Sequence, residues 1–257
     1  MSIINDIDLA NVKIIKNETN SATFIFEPLF PGYGVTIGHA LRRVLLSSLQ
    51  GSAITNVKID GTTHEFTTIK GVREDVMDII LNLKHLVIKS YSDEPVVLKL
   101  QKKGPGKVTA EDFVKNSQIE ILDPGQYIAT LEKDGKLNLQ VTVEKGFGYV
   151  PIEKREEKTK TEIGNIAIDA IYNPVKKINY QVENTRVGSA TDYNKLILNI
   201  TTNGTITPEE ALKLAIEILT NYLAKLIPSV PTEKKVLAKK AKIQKKVVKT
   251  KSKSKKK

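Results

Sequence analysis

The sequence contains no cysteine and no tryptophan, and only 5% of its 257 residues are aromatic. Without cysteine the chain forms no disulfide and offers no thiolate ligand to a metal. No apolar run approaches the roughly 20 residues that a membrane-spanning helix needs. The N-terminus also lacks the basic and apolar regions of a secretory signal. These absences are compatible with a protein of the reducing cytoplasm that does not enter a membrane.

The positive charge of the sequence is concentrated at one end. The formal net charge is +11 at pH 7, yet residues 233–257 contain 13 Lys and one Glu, which leaves residues 1–232 close to neutral. A protein that reads nucleic acid through its fold more often carries the charge on the folded body. The Lys-rich segment has too few large apolar residues to bury a core, so it is predicted to be disordered when free.

Two functions stay open for this Lys-rich segment. It is either a solubilising extension or an arm that binds polyanions through counterion release. It contains no aromatic residue that would stack on bases, so its binding to nucleic acid would show little sequence preference. The lysines assigned to nonspecific DNA contact are Lys251, Lys253, Lys255, Lys256 and Lys257.

A glycine-rich turn that leads into an amphipathic helix dominates the first part of the chain, at residues 32–50. The apolar residues recur at the spacing of one helical face, and Gly51 is a suitable C-terminal stop. The face consists of Ile37, Ala40, Leu41, Val44, Leu45 and Leu49.

A second amphipathic helix is predicted at 208–227. Thr207 and Glu210 have the spacing of a capping box, and Pro208 suits the first helical position. The apolar arc is broad enough to cover the chain's own sheet and a partner helix at once. It consists of Leu212, Leu214, Ala215, Ile218, Leu219, Tyr222, Leu223 and Leu226.

Between these two helices the pattern predicts strands, turns and one helix at 73–86. Alternating apolar residues mark the strands, and clusters of Gly, Pro and Asp mark the turns, among them the loop 102–107. The strongly charged stretch 153–162 is predicted to be an exposed loop. The strands predicted along the whole chain are 12–16, 22–29, 54–59, 87–91, 96–101, 118–122, 126–132, 136–144, 166–171, 176–186 and 195–201.

The turn Gly32-x-Gly34-x-x-x-Gly38 imitates a dinucleotide-binding motif. It follows a strand, opens a helix and precedes a strand that ends at Asp60. The third glycine is one residue late, however, and the preceding strand alternates where a central parallel strand would be apolar throughout. Close packing of the helix explains the glycines better, and the nucleotide site stays open as an alternative.

Patterns for catalysis or metal binding are otherwise weak. His39, His64 and His85 do not have the spacing of a metal site, and no nucleophile stands next to a base. Arg42 and Arg43 project about 100° apart on the helix. One of them could therefore contact the folded body while the other meets a partner, although two solvated arginines are the simpler interpretation.

An ordered series of motifs resembles the N-terminal assembly region of the alpha subunit of bacterial-type RNA polymerase. The longest is Glu-Pro-Leu-Phe-Pro-Gly-Tyr-Gly-Val-Thr-Ile-Gly-His-Ala-Leu-Arg-Arg-Val-Leu-Leu-Ser-Ser at 27–48, in which His39 replaces the Asn that is usual in the family. Each motif alone is weak, but their shared order is highly specific. The others lie at 59–61, 64–66, 71–75, 81–84, 108–110, 146–151, 173–175, 180–188 and 202–211.

The resemblance implies a homodimeric scaffold, the non-catalytic subunit of a nucleotidyltransferase, that binds the two large polymerase subunits, beta and beta-prime. It also implies a location in a bacterial or bacterial-derived cytoplasm and no cofactor bound by this chain. The beta subunit is expected to contact Arg43 and Leu46, and the large subunits are expected to contact Lys84 and Ile168. Dimerisation is expected through Tyr33, Ile37, Leu41, Leu219, Tyr222 and Leu223.

The predicted fold class is α+β. A discontinuous dimerisation domain is expected at 1–50 and 175–232, a β-rich insert at 51–174 and a disordered tail at 233–257. Most relatives in the family continue into a helical domain that reads promoter DNA, so specific promoter reading is not expected here. Two other function classes stay open: a stand-alone enzyme that binds a nucleotide at the Gly32-x-Gly34 turn, and a nonspecific nucleic-acid-binding protein that acts through its tail.

Overall fold

The computed structural model describes residues 11–156 and 164–226. The predictions for the Lys-rich tail, including the contacts of Lys251 to Lys257 with DNA, lie outside the described residues. So does the latter part of the charged stretch 153–162.

The described part of the chain mixes helices with many short and long strands, which confirms the predicted α+β class. The helices are α1 (Tyr33–Ser47), α2 (Val76–Lys84), α3 (Glu153–Glu156) and α4 (Pro208–Leu226). The strands are β1 (Asn11–Glu18), β2 (Ser21–Leu29), β3 (Gln50–Ile59), β4 (Ile88–Ser90), β5 (Val96–Lys103), β6 (Gly106–Thr109), β7 (Ile119–Ile121), β8 (Tyr127–Leu131), β9 (Lys136–Phe147), β10 (Tyr149–Val150), β11 (Asn165–Ala167), β12 (Ala170–Ile171), β13 (Val175–Val187) and β14 (Ala190–Thr202).

The first sheet has the strand order β1-β2-β14-β13 and is antiparallel throughout. Phe24 of β2 lies opposite Leu198 of β14, which lies opposite Tyr180 of β13, so these side chains share one face of the sheet. Phe24 and Leu198 form one buried cluster with Leu45 of α1 and Ala211 of α4. This sheet face is therefore the surface on which both amphipathic helices pack.

The second sheet has the order β11-β3-β9-β5 and is also antiparallel. Leu100 of β5 and Leu139 of β9 form a separate buried cluster with Ile79 of α2. Three two-stranded ladders, β4-β7, β6-β8 and β10-β12, belong to the same stretch of the chain. The described residues thus contain two large apolar cores, one for each sheet.

Glycine allows α1 to pack closely on the first sheet. A Cβ at Gly38 would lie 2.7 Å from Cδ2 of Tyr180, and one at Gly34 would lie 2.8 Å from Cγ1 of Val182. Any larger side chain at these positions would force the helix away from β13. The glycines therefore serve helix packing, as the sequence predicts.

The capping box at the start of α4 is confirmed. The backbone N–H of Glu210 donates to Oγ1 of Thr207 over 3.2 Å, and the N–H of Thr207 donates to the Glu210 carboxylate over 3.1 Å. Both bonds use donors that the first turn of a helix leaves free. The helix therefore begins where the local sequence places it.

Three local predictions are wrong. The strand expected at 166–171 is two short strands, because Asn165–Ala167 pairs with β3 whereas Ala170–Ile171 pairs with β10. The loop expected at 102–107 is largely strand, since β5 stays paired with β9 as far as Lys103. The stretch 153–162 begins with α3 instead of a loop, and the Arg155 guanidinium there donates to the backbone carbonyls of Thr55 and Ile168.

Candidate functional site

Helix α1 buries one side and presents the other to solvent. The buried side consists of Gly34, Gly38, Leu41 and Leu45, which follow the period of an α-helix. The exposed side carries both charged and apolar residues, a mixture typical of protein-binding helices. It includes Val35, His39, Arg42, Arg43 and Leu46.

Arg43 and Leu46 lie three residues apart and therefore share a face of α1. Leu46 is 39% exposed, and Arg42 and Arg43 are both exposed. Among the described residues neither arginine forms an ion pair or a side-chain hydrogen bond. The contact with the folded body suggested for one of them is not found in this part of the chain, in which both side chains are exposed.

The β10-β12 ladder lies against the C-terminal end of α1. Gly148 adopts a φ of 61°, and a Cβ there would lie 3.1 Å from the backbone oxygen of Ser47. The N–H of Tyr172 donates to the carbonyl of Gly148 over 2.8 Å. This approach places the residues around Gly148 beside the C-terminal end of α1.

Three large apolar residues in and beside the β10-β12 ladder are exposed. Phe147, Tyr149 and Ile171 are 58%, 59% and 59% exposed, and Tyr149 lies directly opposite Ile171 in the ladder. Single exposed apolar residues are ordinary, but a group of large ones is typical of an interaction site. Sequence reasoning missed this group because it depends on a pairing between distant segments, although the motif at 146–151 was visible.

Lys84 belongs to the same region through Asp169. Its ammonium group lies 3.3 Å from one oxygen of the Asp169 carboxylate, and the N–H of Ile152 donates to the other over 3.1 Å. Burial by itself would raise the pKa of Asp169, but hydrogen bonds from Ile152, Lys84 and Tyr149 outweigh it and lower the pKa. Asp169 is therefore an ionised centre that ties Lys84 to Tyr149.

We group these residues as one candidate surface, which we call the contact surface. Gly148 joins it to α1 at Ser47, and Asp169 joins Tyr149 to Lys84. The two regions predicted separately, around Arg43 and around Lys84, are thus linked through Ser47, Gly148, Tyr149 and Asp169. The contact surface consists of Arg43, Leu46, Lys84, Phe147, Tyr149 and Ile171.

Two of the predicted contact residues are buried in the chain itself. Ile168 is 1% exposed and belongs to the core of the second sheet, and its N–H donates to the carbonyl of Thr55 over 2.9 Å. Leu41 is 3% exposed and belongs to the core of the first sheet. Neither side chain reaches the surface of the described chain, so both contribute to core packing there, and their expected contacts with a large subunit and with a second copy stay predictions.

The other residues predicted for the dimer differ in exposure. Tyr33 is 45% exposed, while Ile37 and Leu219 are half-buried and pack partly on the chain's own core. In the described stretch after Leu219, Tyr222 is 67% exposed and Leu223 is 62% exposed. When a partner covers apolar side chains this exposed, their removal from water favours association.

The nucleotide alternative meets an obstacle at the start of α1. The N–H groups of Gly32 and Gly34 donate to Oδ1 of Asn194 over 2.8 and 3.3 Å. A phosphate at this turn would need the same backbone donors. Among residues 11–156 and 164–226 no group of three or more acidic or histidine side chains is placed to hold a metal. The backbone donors that a phosphate would need are therefore already used within the chain.

A family model described as the RNA polymerase Rpb3/RpoA insert domain matches residues 57–173. The DNA-directed RNA polymerase subunit alpha of Desulfitobacterium hafniense is 53% identical over 207 residues, which are 80% of this chain and 65% of that protein. The subunit alpha of Desulforamulus reducens is 48% identical over 220 residues, which are 85% of this chain and 70% of that protein. This chain belongs to the RNA polymerase alpha subunit family.

Membership in the alpha subunit family confirms the resemblance drawn from the ordered motifs. The chain spans about two thirds of the length of the relatives that it matches, with 65% of the Desulfitobacterium protein covered. Lys84, Phe147, Tyr149 and Ile171 lie within the matched insert, whereas Arg43 and Leu46 lie before it. In the part of this alpha-family chain that the structure describes, no helix has the length and apolar character to cross a membrane.

In this alpha-family chain, Asp169→Asn is expected to make stability less dependent on pH. The lowered pKa means that ionised Asp169 stabilises the fold above the pKa it has when unfolded. That contribution is lost as the pH falls through the lowered folded pKa. The free energy of unfolding, measured by urea titration, should therefore differ between wild type and variant at neutral pH and converge in acid.

The matched control is Asp93→Asn. Asp93 pairs with Lys145 over 2.7 Å, but its side chain is 92% exposed, so solvent screens the pair. Its variant should remain close to wild type at every pH. A wild-type advantage over Asp169→Asn that stays the same from neutral to acid pH would contradict an ionised role for Asp169.

Proposed function

We propose that this chain is the alpha subunit of a DNA-directed RNA polymerase, a homodimeric scaffold on which the beta and beta-prime subunits assemble. The observation that carries the proposal is the identity of about half over four fifths of the chain to proteins named as that subunit. The chain takes no part in the chemistry, and its contribution to nucleotidyl transfer is to hold the large subunits. Its location is the cytoplasm of a bacterium or of a bacterial-derived compartment.

The domain organisation supports a scaffold. The proposal places a discontinuous domain at 1–50 and 175–232 around an insert at 51–174. The buried cluster of the first sheet draws its residues from Ala22 to Leu49 and from Val175 to Ala215, whereas that of the second sheet draws them from Ile54 to Ile168. In this proposal the domain of the first core carries the dimer contact together with Arg43 and Leu46, and the insert carries the remaining residues of the contact surface.

The dimer contact is assigned to the exposed parts of α1 and α4. Tyr33 and Ile37 contribute from the first helix, and Leu219, Tyr222 and Leu223 from the second. Large apolar side chains that their own chain leaves exposed are the usual core of a homodimer interface. Removing them from water in a symmetric pair of helices would supply the driving force for association.

The contact surface is assigned to the large subunits. Arg43 presents five donors in a planar fork that suits carboxylates of a partner, and Leu46 offers an apolar contact one turn further along. Phe147, Tyr149 and Ile171 add large apolar side chains that a partner would remove from water, and such buried contacts concentrate binding energy. Lys84 adds an ion pair with Asp169 to the same surface.

The proposal includes nonspecific DNA contact by the Lys-rich segment. Its 13 lysines within residues 233–257 would release counterions from the phosphate backbone. The alternative in which the tail alone carries the function is less favoured, because it leaves both cores and the contact surface without a role.

The test is purification of the tagged full chain from its native cell under a moderate salt wash, with the masses and ratios of all subunits measured by mass spectrometry. Two copies of this chain with one copy each of two very large polymerase subunits are expected. Recovery without a large partner would overturn the scaffold function. Equilibrium binding of a dinucleotide to the purified chain would then be measured, since tight binding would support the stand-alone enzyme.

A further inference from the structure

Helix α1 begins without the usual means of capping. Its N-cap residue, Gly32, has a φ of 85° and no side chain, and the first turn contains no acidic residue. The first N–H groups of a helix have no partner within the helix and need an acceptor from elsewhere. The N–H of Tyr33 donates to the nearby carbonyl of Phe30 over 3.0 Å, whereas the N–H groups of Gly32 and Gly34 need an acceptor from another part of the chain.

Asn194 of β14 supplies that acceptor from 162 positions away. Its side-chain oxygen accepts from the N–H of Gly32 over 2.8 Å and from the N–H of Gly34 over 3.3 Å. Asn194 is only 9% exposed. A buried amide that accepts two bonds at a helix N-terminus performs the work of a local Ser or Asp cap.

The glycines of the turn make this approach possible. A Cβ at Gly34 would lie 3.1 Å from Cβ of Asn194 and 3.2 Å from its Oδ1. Gly32 has its positive φ where other residues would be strained. The Gly32-x-Gly34 pattern is therefore explained by the chain's own side chain instead of a bound phosphate.

The neighbour of Asn194 holds the same turn through aromatic rings. Tyr193 packs edge-to-face on Phe30 at a centroid distance of 6.2 Å, and Phe30 packs edge-to-face on Tyr33 at 6.0 Å. Tyr33 is the first residue of α1 and is 45% exposed. Two consecutive residues of β14 thus fix the helix start and the direction of an exposed tyrosine.

We propose that Asn194 is a positioning residue for the homodimer: by capping α1 from β14 it holds the first turn, and with it Tyr33, in the orientation that the second copy meets. This inference rests on the proposed homodimer. Without the cap the first turn would fray, and the dimer would have to order it again on association, which lowers the affinity.

The test compares full-chain variants by analytical ultracentrifugation. Asn194→Leu keeps the size of the side chain and removes the acceptor, so the dimer dissociation constant should rise about tenfold, near the middle of the range for a lost cap. Asn194→Asp keeps an oxygen acceptor and should remain within about threefold of wild type. If Asn194→Leu does not fold, Asn194→Ala is measured in the same way.

The matched control is Ile200→Val on the same strand. Ile200 is fully buried in the core of the first sheet, so this variant lowers the stability of the fold without touching the cap. Its dimer affinity should equal that of wild type. A loss of affinity in the control as large as in Asn194→Leu would overturn a positioning role and leave only general destabilisation.

Hydrogen exchange tests the Asn194 cap independently of the proposed homodimer. The amides of residues 32–36 should exchange faster in Asn194→Leu than in wild type, whereas those at the end of α1 should not change. Unchanged exchange at the first turn would show that Asn194 does not stabilise it, whatever the oligomeric state. If the wild-type chain is monomeric at all concentrations and the variant exchanges faster, the proposed homodimer is wrong but the cap by Asn194 is supported.

Discussion

Arg43→Glu is expected to weaken binding of a large polymerase subunit about 100-fold, the effect of removing one partner of a desolvated charge pair at roughly 3 kcal/mol. Arg43 is exposed and unpaired among the described residues, so the stability of the chain itself should change little. The affinity of the purified chain for the large subunit, measured by biolayer interferometry, gives the result directly. The dimer dissociation constant should not change.

Arg42→Glu is the control for this reversal. It introduces the same charge change one residue earlier, and its side chain points about 100° away around the helix. If Arg43 makes a specific contact, the fold-loss of affinity in the Arg42 variant should be less than a tenth of the fold-loss in the Arg43 variant. Equal losses in both variants would mean that α1 acts through its overall charge, and an unchanged Arg43 variant would remove α1 from the contact surface.

Features encoded within a few residues could be predicted from the sequence. The capping box of Thr207 and Glu210 spans a single turn, and both of its hydrogen bonds form as expected. The apolar period of α1 likewise identified a face that includes Leu41 and Leu45, both buried. Local spacing sufficed in these cases because the interacting groups are neighbours on one helix.

Periodicity could not say which molecule covers an apolar face. Leu41 lies on the apolar stripe of α1 as Ile37 does, yet Leu41 is buried in the chain's own core and Ile37 is half-buried. For Ile168 the family resemblance, not periodicity, implied a partner contact, and in the fold this side chain fills the core of the second sheet. Whether an apolar side chain packs on its own sheet or on a partner depends on how far each element extends over its neighbours. A pattern of residue types does not encode that extent.

Contacts between distant segments account for the rest of the site. The cap of α1 is Asn194, whose separation from Gly32 leaves no local signal. Tyr149 and Ile171 become neighbours only because β10 pairs with β12. The same pairing divides the predicted strand at 166–171, since Ile166 pairs with β3 while Ala170 pairs with β10.

Leu223→Asp is expected to convert the homodimer into soluble monomers. Leu223 is 62% exposed in the described chain and takes no part in the buried clusters, so the substitution should leave folding intact. In the proposed dimer it would place an unpaired charge against apolar side chains, which costs about 3 to 5 kcal/mol and weakens association roughly 100-fold to 5,000-fold. Sedimentation equilibrium over a wide concentration range measures this change.

Leu223 is a sharper test than Leu219, because Leu219 packs partly on the core of its own chain, and an Asp there would also disturb the fold. The control is Asn221→Asp, which adds the same charge at an exposed position of the same helix. It should weaken the dimer by no more than about threefold, the effect of a rim charge. A Leu223→Asp chain that stays dimeric with unchanged affinity would move the interface away from the end of α4, while monomers in both variants would point to charge repulsion between copies instead of a buried apolar contact at Leu223.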